Sequence, residues 1–185
     1  MERGLVEQAR KGDREAFALL VHQVSGSLFA VAQRILRDQA LAEDALQNAL
    51  VLAWRQLPRL REPDRFEAWI HRILVNACYA EAKRASKWSA NVVVLPVDGP
   101  ASRDTTQDVV IRDALDRGFR RLPTEQRAAF VLHHYLGWSV AEIAENLGVP
   151  AQTIKSRIRY ATSTLRAGLD ADARTTSLTS RERMA

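Results

Sequence analysis

Residues 150–166, PAQTIKSRIRYATSTLR, carry four basic side chains and no acidic one. At helical spacing Gln152, Ser156, Arg159 and Ser163 share one face. Thr153 and Tyr160 flank it on one side, Lys155 and Arg166 on the other. Cations of this kind pair with phosphates, and short polar side chains hydrogen-bond base edges. The chemistry is that of holding a polyanion, not of making or breaking bonds. A second constellation lies upstream. Arg72, Asn76, Tyr79 and Lys83 repeat along one helical face close to Trp69. Cations hold phosphates and flat rings stack on bases, which suits a single nucleic-acid strand. A third face, Asp44, Asn48, Val51 and Arg55 with Gln47 beside them, mixes carboxylate, amide and valine. It reads equally as a solvated face or a docking surface.

The first constellation needs a scaffold, and the preceding residues supply one. Ser139 and Glu142 fit a capping box, in which each side chain satisfies a free backbone N–H at the other's position. Val140, Ile143, Ala144 and Leu147 then repeat at helical spacing. Gly148 stops that helix, and Pro150 fits the first position of the next. Ile154, Ile158, Ala161 and Leu165 give the second helix a buried stripe. A capped short helix, a glycine turn and a basic helix make a helix-turn-helix whose second helix enters the DNA major groove. A helical hairpin with a merely solvated basic face has the same spacing. The cap, the one-sided charge and the short polar side chains together favour DNA.

The remaining chain reads as helix with no sheet. Asp13 caps a helix buried through Phe17, Leu20, Val21, Val24, Leu28, Val31 and Ile35. Asp38 caps another, with a stripe of Leu46, Leu50, Ala53 and Leu57. A proline-bearing loop, PRLREPDR, precedes a third helix of about residues 65–87. Residues from Ser89 to Val109 hold Pro, Gly, Ser and Thr without helical period, and acidic Asp98, Asp104 and Asp108. The expected fold is all-α, two small helical domains joined by a flexible linker, the C-terminal one a helix-turn-helix. The expected limits are 1–88, a linker 89–109, 110–168, and a mobile tail 169–185. Helical spacing also turns Phe130, Val131 and His134 inward.

Composition narrows the function. The 185 residues carry a net charge of +5 with pI ≈ 9.9, which suits a polyanionic partner. The single Cys78 permits no internal disulfide and fits a reducing cytoplasm. The N-terminal MERGLVEQARKGD lacks the apolar core of a signal peptide. No run approaches the ~20 apolar residues of a membrane span, so no membrane insertion is expected. His133-His134 has no further ligand nearby, so no metal and no cofactor are expected. No Gly-rich phosphate loop or nucleophile–base pair points to an enzyme. An autonomous regulator would need a sensing domain, and residues 13–87 show neither receiver-type strands nor an acidic pocket.

Four blocks in order, GDREAFALLV, AEDALQNALVLAW, RFEAWIHRILVNACYAEAKR and LPTEQRAAFVLHHYLGWSVAEIAENLGVPAQTIKSRI, resemble the extracytoplasmic-function (ECF) sigma factors of the sigma-70 superfamily. The resemblance spans about Leu5 to Leu169. It implies a cytoplasmic, non-enzymatic subunit that gives bacterial RNA polymerase its promoter specificity. The second helix, through Asp44, Gln47, Asn48, Val51 and Arg55, is then expected on the clamp helices of the polymerase's largest subunit. The family usually has Glu at position 48, so one charge contact to the clamp is expected to be missing. Arg61, Arg65, Trp69, Arg72, Asn76, Lys83 and Arg84 are expected to hold the melted −10 strand. Gln152, Thr153, Lys155, Ser156, Arg157, Arg159 and Tyr160 are expected at the −35 duplex, beside the flap of the second-largest subunit. Arg157 points toward the buried flank, which suits a phosphate contact or an ion pair. The two modules are expected to grip DNA separately, tied by a slack tether, and the family's anti-sigma factors are a further expected partner.

Overall fold

A computed structural model describes residues 3–91 and 115–182; of residues 88–91 and 171–182 only the course of the helix is described. The linker reading for residues 92–109, with its acidic Asp98, Asp104 and Asp108, lies outside the described residues, as does the helix start near Val110.

The described residues hold helices and no strand. Helix α1 (Arg3–Arg10) buries Val6 and Ala9. Helix α2 (Arg14–Leu36) starts where Asp13 Oδ1 accepts from the amides of Glu15 and Ala16 at 2.9 and 3.1 Å. Helix α3 (Gln39–Gln56) starts the same way, with Asp38 Oδ1 accepting from Leu41 N at 2.9 Å. Two short 3-10 turns, Leu57–Arg59 and Pro63–Arg65, carry the proline loop into α4 (Phe66–Asn91). These elements form one unit around Leu20, Leu28, Ile35, Ile70 and Leu74.

The buried stripe of α3 differs from the expected one. Ala42, Ala45, Ala49 and Ala53 are fully buried, whereas Leu46 and Leu50 are half-buried. Helix separation follows the side chains at the contact. Alanines let α3 sit close against α2 and α4, and the leucines pack at the rim.

Helix α2 also corrects the expectation that nothing passes for a membrane span. It is long and apolar enough by length and composition, with a mean hydropathy of 1.4. Ser25, Gly26 and Ser27 break its apolar run without lowering the average much. In this fold its Leu20, Leu28, Val31 and Ile35 are fully buried, so its apolarity is that of a core helix.

The second unit comprises α5 (described over residues 115–121), α6 (Thr124–His134), α7 (Val140–Leu147) and α8 (Ala151–Glu182). Its private core is small: Leu122, Ala161 and Leu165, with Phe119 and Phe130 against them. Ala128, Val131, Leu132, Ile143 and Ile154 belong instead to the same buried cluster as the first unit. The two helical modules are present, but the expectation that their interiors stand apart is corrected. The reason is size. A unit of this length leaves much apolar surface uncovered, and the surplus on α6 and α7 is buried against α2 and α4.

Two further readings change. His134 is exposed, its ring lying 4.3 Å from that of Phe130, while Ala128, Ala129 and Leu132 take the inward positions. Residues 169–182, part of the stretch read as a mobile tail lacking periodicity, continue α8 as helix. Nothing between Gly168 and Glu182 stops a helix once the buried stripe has nucleated it, and each added residue contributes one more hydrogen bond.

Candidate nucleic-acid interface

The helix-turn-helix is built as its local sequence dictates. Glu142 N donates to Ser139 Oγ at 3.2 Å, and Ser139 N donates to Glu142 Oε2 at 2.7 Å. These bonds hold the Glu142 carboxyl below the usual carboxylate range. Gly148 ends α7 at φ 67°, a left-handed conformation that costs glycine little. Pro150 stands one position before the helix rather than at its first residue, and its carbonyl accepts from Thr153 N at 2.9 Å. Upstream, His133 Nδ1–H donates to Trp138 O at 2.7 Å and fixes the chain entering the motif.

Helix α8 presents its polar face outward. Ile154, Ala161 and Leu165 are buried and Ile158 is half-buried, as the stripe requires. Gln152, Lys155, Arg159 and Tyr160 are exposed, with Thr153 and Ser156 half-buried beside them. The Arg159 guanidinium lies 5.3 Å from the Tyr160 ring centroid, so ring and cation form one plateau. Arg157 is half-buried, and its charge acts on Tyr79 of α4.

Helix α4 and the loop before it carry the second constellation. Arg61, Arg72, Asn76 and Lys83 are exposed, and Trp69 is half-buried with its ring 5.7 Å from that of Phe66. Tyr79 departs from the expected open face. Burial pushes its phenol up to about 12, against the opposing pull of Arg157. Arg65 is exposed but engaged, with Glu145 at 2.7 Å and Glu62 at 3.2 Å. Arg84 NH1 lies 3.1 Å from Glu81 Oε2.

Asp44, Gln47, Asn48, Val51 and Arg55 line one exposed face of α3, and Val51 keeps half its surface in water. Asn48 has a second attachment. Its Nδ2 donates to Glu81 Oε1 at 2.9 Å, tying α3 to α4. Glu81 is almost fully buried, and its two oxygens are met by Asn48 and Arg84. Sequence reasoning missed this carboxylate, though a signal was there. Glu81 falls in phase with Ile70, Leu74 and Cys78 on the buried stripe, where an acid needs donors. His71 was missed as well. It is buried, donates from Nδ1 to Glu67 O at 2.8 Å, and meets the Trp138 ring edge-on at 5.5 Å. The neighbouring Cys78 thiol is pushed up to about 12 by burial and is inert. Among the described residues no His, Cys, Asp and Glu group could hold a metal ion.

Residues 20–88 match the family model of Sigma-70 region 2, and residues 112–163 match that of Sigma-70, region 4. The ECF RNA polymerase sigma factor SigM of Mycobacterium tuberculosis is 37% identical over 156 residues, 83% of this chain and 77% of its own length. The chain belongs to the ECF sigma factors. It is thus a promoter-recognising factor of transcription initiation. Two solved structures share its architecture. CnrH, in complex with the cytosolic domain of CnrY, is 29% identical with a TM-score of 0.64 over 92% of this chain and 97% of its own. RpoE of Bartonella quintana, in complex with the anti-sigma factor NepR, is 28% identical with a TM-score of 0.63 over 84% of this chain and 98% of its own. In this sigma factor position 48 is Asn, and the Glu81 carboxylate gives a physical account of an amide there. A second carboxylate at 48 would face Glu81 across the α3–α4 contact, whereas the amide donates to it.

Proposed function

We propose that the three faces divide the work of promoter recognition. The α3 face, Asp44, Gln47, Asn48, Val51 and Arg55, docks on the clamp helices of core polymerase. Arg61, Arg65, Trp69, Arg72, Asn76, Lys83 and Arg84 hold the melted −10 strand. Gln152, Thr153, Lys155, Ser156, Arg159 and Tyr160 meet the −35 duplex, with Arg157 at its edge. The chain makes no bond itself. The polymerase supplies catalytic Mg²⁺ and works in the cytoplasm. The sigma factor contributes capture of a base whose unstacking costs roughly a few kcal/mol. An anti-sigma factor is the natural antagonist, as CnrY and NepR accompany the solved relatives.

The observation that supports this reading best is the exposed Lys155, Arg159 and Tyr160 plateau on a helix fixed by the Ser139–Glu142 box and the Gly148 turn. Run-off transcription with core polymerase tests it. Arg159→Ala is expected to lower transcription about tenfold from promoters that depend on the upstream element, the scale of one lost base or phosphate contact. Core binding is expected to stay intact. Loss of core binding in the same variant would mean that α8 has another role.

A further inference from the structure

The tie between Asn48 and Glu81 runs on to a third residue. Glu81 stands on the buried stripe of α4 with 2% of its surface exposed, so its charge needs donors close at hand. Its two oxygens go to different partners. Oε1 accepts from Asn48 Nδ2 at 2.9 Å, and Oε2 lies 3.1 Å from Arg84 Nη1. Asn48 belongs to the exposed α3 face read as the polymerase-docking surface. Arg84 is one of the cations read as holding the −10 strand, and its side chain is 71% exposed. One inner carboxylate is thus shared between two outer surfaces.

An ion pair at so exposed an arginine adds little to stability, so its main effect is orientation. A guanidinium carries five N–H donors, and Glu81 engages one nitrogen of Arg84. The other donors suffice for a two-pronged pair with a phosphate. A long side chain loses rotamer freedom when it closes on a ligand, and prior orientation removes part of that cost. The two oxygens of a carboxylate form one rigid plane, so whatever fixes Oε1 also fixes Oε2. The backbone carrying the Asn48 amide is itself held, because Ala45 and Ala49 on either side are fully buried.

From this we infer that Glu81 is a positioning residue linking the two surfaces: with Asn48 pinned by the polymerase clamp, the carboxylate aims Arg84 at the −10 strand. Glu81 itself touches neither polymerase nor DNA. The inference rests on the readings of the α3 face and of Arg84 in the proposed function, and adds a coupling between them. Such coupling is reciprocal, so the captured strand also tightens the hold on core.

The test uses the full chain with saturating core polymerase and a fluorescent −10 single-stranded oligonucleotide. Glu81→Gln keeps the size of the side chain and removes its charge. It is expected to weaken strand binding about fivefold, the low end of couplings between sites. In an Arg84→Ala background the same change is expected to weaken it no further. Asn48→Ala, at an exposed position, is expected to weaken strand binding about twofold with Glu81 in place and not at all beside Glu81→Gln. That variant carries the test should the buried substitution fail to fold. Glu15→Gln, on α2, removes the same charge and is expected to leave strand binding unchanged. A loss from Glu81→Gln that persists in full without Arg84 overturns the inference, because Glu81 then acts only through the fold. A loss from Asn48→Ala undiminished beside Glu81→Gln overturns it too. So does tighter strand binding by Glu81→Gln, because the acid then merely repels the strand. If Arg84→Ala alone leaves strand binding unchanged, the reading of Arg84 falls and the inference with it.

Discussion

The two units solve the same packing problem with unequal means. The α1–α4 unit surrounds α2 with three other helices and buries an alanine stripe between α3 and its neighbours. The α5–α8 unit has a private core of three side chains and hands Ile143, Ile154 and Leu132 to its neighbour. The first is self-sufficient, and the second leans on it. Recognition by α8 therefore rests on a scaffold whose local parts are firm but whose interior is shared.

Core truncation is the hardest push on that contrast. Leu28→Ala, at a fully buried site, is expected to cost about 3 kcal/mol and to lower the melting of both units together. Leu165→Ala is expected to cost about 2 kcal/mol and to leave hydrogen-exchange protection in α2 unchanged. Protection lost from α2 in the second variant would mean that the chain unfolds as one body. Next comes the α3–α4 strut. Asn48→Glu is expected to destabilise the first unit by about 2 kcal/mol, since a second carboxylate then stands against the buried Glu81 in place of its donor. Adding Glu81→Gln should restore most of the loss in the same thermal melt.

Ser139→Ala removes the capping box and is expected to cost about 1 kcal/mol, confined to the second unit. Exchange rates of α7 amides report it. The smallest effect is one of pH. Burial keeps the His71 imidazole below its ordinary value, outweighing the Glu67 carbonyl and carboxylate; Trp138 faces it from the other unit. The folded state therefore binds its proton less readily than the unfolded chain does. Stability from this group is complete above about pH 6.5 and falls as the pH drops below it, by at most about 1.4 kcal/mol per pH unit for one proton. Urea melts between pH 5 and 7.5 check this, and His71→Phe should flatten that part of the curve.

How much of this was legible depended on range in sequence. The helix-turn-helix was readable because its determinants are neighbours: Ser139 and Glu142 three apart, Gly148 at a turn, Ile154 to Leu165 in one helical phase. The α3 stripe was misread because leucine outweighs alanine in any hydrophobic pattern. Only the closeness of α2 and α4 decides which side faces inward. The contact between α4 and α7 was out of reach. Its hydrogen bonds, Asn146 to the backbone oxygen of Ala68 and Arg65 to Glu145, join residues 78 and 80 positions apart. Neither carries a periodic signal. Asn48 was placed on the right face, but its tie to Glu81 appeared only once α3 and α4 were set side by side.

That tie has a bearing on ancestry. A lineage holding Asn48 and Glu81 cannot gain Glu at position 48 by one replacement without passing through a repelling pair. The two positions should drift together. A homologue with Glu at the first is expected to carry a neutral or basic side chain at the second, so that history at one site is written in the other.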